Sequence, residues 1–330
     1  MKFIAHSFFL VWCGISATLA QTPDLQLELP PISPSPKKLL QDAARQSQLE
    51  AAVAQRDYRR AQTILVEEIN QSPSSPRTAA MLVSVAGLFF LDGQYLNCAI
   101  AYKKAEKIAP LDQRSRFTLT MAYLQLNQRD WAAPELEKLM TEFPKEALYP
   151  YWLGRIAYDR QQYNEAIAGF EKAIALDAQM TRAYDNLGLC YDYLGRSDEA
   201  IRYFRQAIAL NRQQAPPSAW PPLNLAITLI AKNELKDAED LLRESLRYDE
   251  RLPQTHYQLG QLLEKQRRYR EAAASLEQAV KLDANYPEPH YTLSRVYQQL
   301  GEKQKAKTAV ETFQRLKKAR NEAGKKEPEK

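Results

Sequence analysis

The sequence predicts an all-α protein, a solenoid of stacked helical hairpins, and three observations carry that prediction. The first is the stretch Thr181–Gln214, TRAYDNLGLCYDYLGRSDEAIRYFRQAIALNRQQ, which holds two amphipathic helical patterns around a short break. Tyr184, Leu187, Gly188 and Tyr191 recur at spacings of three and four, as do Ala200, Phe204 and Ala207, so each set lies along one helical face. Between them Leu194-Gly195-Arg196-Ser197-Asp198 reads as a turn. Gly195 suits a left-handed helix end, and Ser197 or Asp198 can cap the helix that follows. The second observation is that the same pattern returns at a fixed period along most of the chain. The third is composition: with only 10 Gly in 330 residues, and long runs of Ala, Leu, Gln, Glu, Lys and Arg, helix is favoured over sheet. A single hairpin keeps one apolar face uncovered, and repetition supplies the neighbour that covers it. The core then grows along one dimension, so the length does not imply two ordinary domains.

Taken in order, residues 1–20 (MKFIAHSFFLVWCGISATLA) read as a signal peptide: a Met-Lys start, an apolar run from about Phe8 to Ile15, then small residues. Thr18 and Ala20 fit the minus-three and minus-one places of a cleavage site, with Gln21 as the mature start. The apolar run is too short for a comfortable membrane span, so no integral span is expected after cleavage. Residues 21–41 form a Pro-rich linker, extended and semi-rigid. Hairpins then occupy 42–320, in units starting near 42, 79, 113, 147, 181, 219, 253 and 287. The first is degenerate, with Gln48-Leu49 in place of a Leu-Gly pair, and is expected to act as a cap. Extra residues around Ala215-Pro216-Pro217 lengthen one inter-unit loop. Residues 321–330 are expected to be a basic, disordered tail.

The register is fixed where two antiparallel helices cross. Across the eight units the second helix places Ala61, Cys98, Ala132, Ala166, Ala200, Ala238, Ala272 and Ala306 there, all small. The facing position on the first helix holds Ala86, Thr120, Gly154, Gly188, Ala226, Gly260 and Ser294. Four residues beyond the crossing stands a large apolar side chain: Leu65, Tyr102, Leu136, Phe170, Phe204, Leu242, Leu276 or Val310. With Tyr184, Leu187-Gly188, Tyr191, Ala200, Phe204 and Ala207, the central stretch resembles the tetratricopeptide repeat, a 34-residue helix–turn–helix unit with the pattern W-x2-L-G-x2-Y, then Ala, an aromatic and Pro. Arg212 replaces the Pro. The resemblance implies a right-handed superhelix of seven full hairpins after the degenerate one, with the first helices lining a concave groove.

It also implies which residues face that groove. The expected protein-binding positions are Phe117, then Tyr151, Trp152, Arg155 and Tyr158, then Arg182, Asn186 and Tyr193, then Trp220 and Asn224, then Tyr257, Gln258 and Tyr291. Aromatic anchors mixed with amides and charges suit a protein-recognition surface. The sixth place of successive units reads Ser84, Thr118, Trp152, Asn186, Asn224, Gln258 and Thr292, a row whose amides can bond the backbone of an extended peptide. A clamp for a C-terminal carboxylate has only Arg155 and Arg182 to offer, with Asp159 and Asp185 beside them.

Other functional classes are argued against by what the sequence holds. Net charge is +5, but residues 303–330 carry ten Lys or Arg against four Glu, so the remainder is near neutral and no broad basic field invites nucleic acid. His256 and His290 take the same place in adjacent units and lack a third ligand at helical spacing, so no metal or other cofactor is expected. Of three cysteines, Cys13 lies in the leader, and Cys98 and Cys190 sit three units apart as small buried residues. There is no phosphate loop, no G-x-S-x-G, no H-E-x-x-H and no C-x-x-C, and the repeats leave no room for a catalytic domain. The expectation is a non-catalytic exported scaffold or adaptor, periplasmic in preference to secreted, that holds a protein or extended peptide segment. The alternatives are a self-associating envelope subunit, which includes a weak homo-oligomer, and an auxiliary subunit presenting substrate to a separate enzyme.

Overall fold

A computed structural model of the chain describes residues 39–73 and 75–324. The expected signal peptide and most of the expected linker lie outside the described residues. Sixteen α-helices and no strand occur among those described, so the expected all-α repeat architecture is the one observed. In chain order they are α1 (Ala43–Ala54), α2 (Tyr58–Gln71), α3 (Thr78–Leu91), α4 (Tyr95–Glu106), α5 (Gln113–Gln125), α6 (Arg129–Glu142), α7 (Leu148–Asp159) and α8 (Tyr163–Leu176). There follow α9 (Thr181–Tyr193), α10 (Ser197–Asn211), α11 (Trp220–Ala231), α12 (Leu235–Tyr248), α13 (Pro253–Lys265), α14 (Tyr269–Leu282), α15 (Pro287–Leu300) and α16 (Lys303–Gly324). They group into two compact units, the first running to Tyr149 and the second beginning at Pro150.

Each hairpin turn is made the same way. One residue takes a left-handed backbone at φ between +57° and +78°, at Arg56, Gly93, Asn127, Gln161, Gly195, Asn233, Arg267 and Gly301. The residue after it closes the helix end, as where the Arg196 N–H donates to Tyr191 O at 2.8 Å and the Gln162 N–H to Ala157 O at 2.9 Å. Gly195 therefore does what its sequence position suggested. Its neighbours do not: the N-cap of α10 is Arg196, with no side-chain cap bond, and Asp198 instead accepts from Lys232 Nζ at 2.7 Å. The tight turn brings Ser197 and Asp198 into the first helical turn, past the place from which a cap reaches back. At the other extreme, Asp42 caps α1 by accepting from the Ala44 and Arg45 N–H groups.

Inside a hairpin, the crossing residues decide how close the helices come. Ala61, Cys98, Ala132, Ala166, Ala200, Ala238 and Ala272 are all completely buried. In the second unit the first-helix glycines stand against the large residue of the partner helix. A methyl group built on Gly188 would meet the Phe204 ring at 2.5 Å, and one on Gly260 would meet Leu276 Cγ at 2.5 Å. Gly154 and Gly169 go further, since a methyl on Gly169 would run into the backbone of Gly154 at 2.8 Å. Phe170 and Phe204 are thereby seated in space that any side chain on the facing glycine would take. The cysteine thiols fill the same seams: Cys98 and Cys190 are free and fully buried, and burial pushes the Cys190 pKa up to about 12.

Two boundaries differ from the sequence reading. Leu39 and Leu40, expected in the linker, are buried in the first unit, and the Leu40 N–H donates to Gln46 Oε1 at 3.0 Å. The degenerate first repeat forms a helical pair, α1 and α2, where a hairpin was expected, joined by the same left-handed turn at Arg56. At the far end α16 extends to Gly324, into the stretch expected as a disordered tail. Ala319, Arg320, Asn321 and Glu322 continue the helix, with a Lys318–Glu322 pair at 3.9 Å and Arg320 reaching Glu288 at 2.9 Å. Residues 325–330 lie outside the described residues. The inserted loop after α10 is pinned rather than loose. Asn211 donates to Ser218 O and accepts from the Ser218 N–H, both at 2.8 Å, while Arg212 forks onto both Glu244 oxygens at 2.8 and 2.7 Å.

Two outcomes follow from this packing. In an open helix a Gly→Ala change gains about 1 kcal/mol. At Gly188 the sign reverses, and Gly188→Ala should lose about 1–3 kcal/mol in urea unfolding because the Phe204 ring cannot yield its space. The Glu244 carboxyl is held below its ordinary value chiefly by the Arg212 hydrogen bonds, against its burial. Its stabilising effect is complete above the unfolded value of about 4.3 and fades as pH falls through the lower folded value. Glu244→Gln should therefore be less stable than the parent at neutral pH, and the gap should narrow as pH falls below the unfolded value of about 4.3.

Candidate protein-binding surface

The residues expected in a groove fall into three groups by what surrounds them. Phe117, Tyr151, Trp152, Asn186 and Tyr257 are buried, so they shape the surface from beneath. Arg155, Tyr158, Arg182, Asn224 and Gln258 are half-buried. Tyr193, Trp220 and Tyr291 are open, at 55%, 37% and 49% exposure. Phe117 belongs to the first unit, where its ring lies 5.7 Å from that of Tyr149. The other twelve belong to the second.

In the second unit α7, α9 and α11 bring most of them together. Arg155 Nη1 donates to Asn186 Oδ1 at 2.6 Å, and Asn186 Nδ2 donates to Arg182 O at 2.7 Å and to the Tyr151 hydroxyl at 3.5 Å. The Arg182 guanidinium lies over the Tyr151 ring at 4.7 Å, and the same ring makes an edge contact with Trp152 at 5.6 Å. On the next helix Asn224 Nδ2 donates to both oxygens of Asp185, at 3.0 and 3.2 Å, and Thr228 donates to Asp192 at 3.2 Å. The amide row of the sequence reading is thus present in space, but it is already bonded. Asn186 has both its donor and its acceptor engaged, and Asn224 keeps its carbonyl oxygen. Charges are held in the same way, with Arg155 standing 3.9 Å from Asp159.

The open aromatics are fixed in place. Tyr193 stacks on Tyr163 at 5.2 Å and 7° between planes, and both rings meet Tyr158, at 5.8 and 5.7 Å. Burial, then the neighbouring Tyr193, raises the Tyr158 pKa, which keeps its phenol neutral. Burial likewise raises that of Asp192, against its bond from Thr228. At Tyr291 the ring packs on Phe313 at 5.2 Å with the Arg295 guanidinium over it at 5.3 Å. Tyr257 receives a hydrogen bond from Gln261 at 2.6 Å and meets Tyr286 at 5.3 Å, whereas Gln258 joins none of these networks.

Two contributors escaped the sequence reading. Tyr163 opens a second helix, outside the first-helix positions from which the groove was drawn, and only the turn geometry brings it beneath Tyr193. Thr228 lies one turn past Asn224, and its pairing with Asp192 crosses between α9 and α11. His256 Nε2 donates to Glu250 O at 2.8 Å, and His290 is packed, its pKa lowered first by burial and then by Arg315. Among the described residues no group of three or more His, Cys, Asp or Glu is placed to hold a metal ion.

Comparison with known proteins agrees with this architecture. Family models described as tetratricopeptide repeat match residues 146–213, 263–321, and 186–253 with 223–288, together covering more than half the chain. Among curated proteins the chain is 28% identical over 129 residues to the BBSome complex member BBS4 of Bos taurus, which is 39% of this chain and 25% of that protein. The chain thus matches about a quarter of that relative's length. Among solved structures it resembles a tetratricopeptide repeat protein from Parabacteroides merdae, at TM-score 0.61 and 17% identity, covering 77% of this chain and 97% of that one. It also resembles PilW, a type IV pilus biogenesis factor, at TM-score 0.56 and 19% identity, covering 61% and 92%. At such identities the likeness is one of fold. With three family models on the repeats and an all-helical hairpin array to match, the chain belongs to the tetratricopeptide repeat family.

Proposed function

We propose that the protein is an exported, non-catalytic scaffold that captures a protein segment on the first-helix face of its second unit. The observation that carries this reading is Tyr193, more than half exposed yet clamped by Tyr158 and Tyr163. A rigid aromatic offers contact area without the ordering cost of a free side chain, the property of interface hot spots. Trp220 supplies a second anchor, and Asn224 presents the amide oxygen that Asp185 leaves free. Asn186 acts from below, orienting Arg155 instead of bonding a partner. Backbone recognition then rests on few groups, and side-chain anchoring carries most of the affinity.

The test is a photo-crosslinker placed at Tyr193 or Trp220 in the native host, followed by affinity measurements with the partner it traps. Tyr193→Ala and Trp220→Ala should each weaken that partner by at least about tenfold, with melting temperature unchanged. Partners trapped only from second-helix positions, or affinities unmoved by both changes, would sink the reading. Export rests on the leader-like composition of residues 1–20. N-terminal sequencing of the protein purified from its host should begin at Gln21, and a retained Met1 would refute cleavage.

A further inference from the structure

The first unit carries an apolar face that its own packing does not use. On α4, Cys98, Ala101, Tyr102 and Ala105 point into the core, and Leu96 and Ile100 lie on the opposite side at 56% and 46% exposure. Ile108 extends that side past the helix end at 56%, and Trp131 of α6 is 54% exposed. A salt bridge shows that these two helices are neighbours: Lys103 Nζ lies 3.5 Å from Glu135 Oε1. Ile100 precedes Lys103 by three residues and Trp131 precedes Glu135 by four, so both sit one helical turn before the bridge and lie abreast. Trp131 is held outward, its ring meeting Tyr123 edge-on at 5.6 Å. Lys104 and Lys107 are exposed on the same side, without a carboxylate partner among the described residues.

We infer that this face docks peripherally on an anionic lipid surface. A tryptophan and aliphatic side chains beside unpaired lysines have the composition of an interfacial contact, in which the apolar groups enter the headgroup boundary and the lysines meet lipid phosphates. The complementarity is one of charge as well as polarity, since nearby Glu106 and Glu135 are already taken by Lys103 and Arg116 and leave the lysines uncompensated. A second copy of the chain would set the same lysines against one another. Docking from the side suits the fold, since among the described residues no helix is long and apolar enough to cross a membrane.

The test is flotation of the full chain with phosphatidylcholine vesicles, with and without phosphatidylglycerol. Binding is expected only with the anionic vesicles, weakened by salt, and accompanied by a blue shift of tryptophan emission that Trp131→Phe removes. Lys104→Gln with Lys107→Gln should lower partitioning by about 25-fold, at about fivefold per lysine. Leu96→Ser with Ile100→Ser should abolish the blue shift, and because both residues are exposed the melting temperature should hold. Equal binding to neutral vesicles, no binding, or binding that the variants leave intact would overturn the inference. So would a dimer in solution that Leu96→Ser dissolves, or an acidic protein that occupies the face in its place.

Discussion

The structure depends on one close approach, seen at Gly154, Gly188 and Gly260 in successive hairpins of the second unit. A small residue on the second helix meets a small residue on the first, and the next turn of the second helix sets a large side chain into the space left over. Phe204 can be fully buried because Gly188 has no Cβ, and Leu276 because Gly260 has none. Truncating such a side chain in a sealed core costs about 3–5 kcal/mol, so each crossing is worth far more than any surface ion pair in the molecule. The turns allow this approach: the left-handed residue at each one returns the chain without lengthening the loop, even where Arg56, Gln161 or Arg267 must adopt a backbone that glycine adopts more easily.

With the backbone held by these crossings, the surface positions are free to vary, and in the second unit they form a polar lattice. Arg155, Asn186, Arg182 and Tyr151 satisfy one another, and Asn224 donates its amide hydrogens to Asp185. A row of amides that looks available in one dimension becomes a set of struts in three. What remains open is aromatic, and it is rigid because it is stacked. The surface left open for contact is therefore made of fixed rings more than of free amides.

The two units spend their exposed apolar surface differently. In the second, Tyr193 and Tyr291 are backed by other rings and flanked by polar networks. In the first, Leu96, Ile100 and Trp131 stand on second helices beside lysines without partners. The chain thereby presents two kinds of exposed surface, stacked rings among polar networks in one unit and apolar side chains beside lysines in the other.

The fold was legible in the sequence because its determinants are local and periodic. Ala200, Gly188 and Phe204 state the crossing at spacings that only a helix satisfies, and repetition multiplies a weak pattern into a strong one. The turn glycine Gly195 was equally readable, since a positive φ suits so few residues. The site was legible only as a set of positions. Which of them would be buried, as Tyr151 and Trp152 are, or open, as Tyr193 is, depends on neighbours one repeat away and on side-chain direction, which periodicity does not encode. Tyr163 came to the site from another helix, and Asn186 was claimed by Arg155 across a helix boundary. By itself the sequence determined the hairpins, because short-range sterics and apolar spacing act within 34 residues. Tertiary structure decided which polar groups remain free, because a hydrogen bond between helices exists only once both helices are in place.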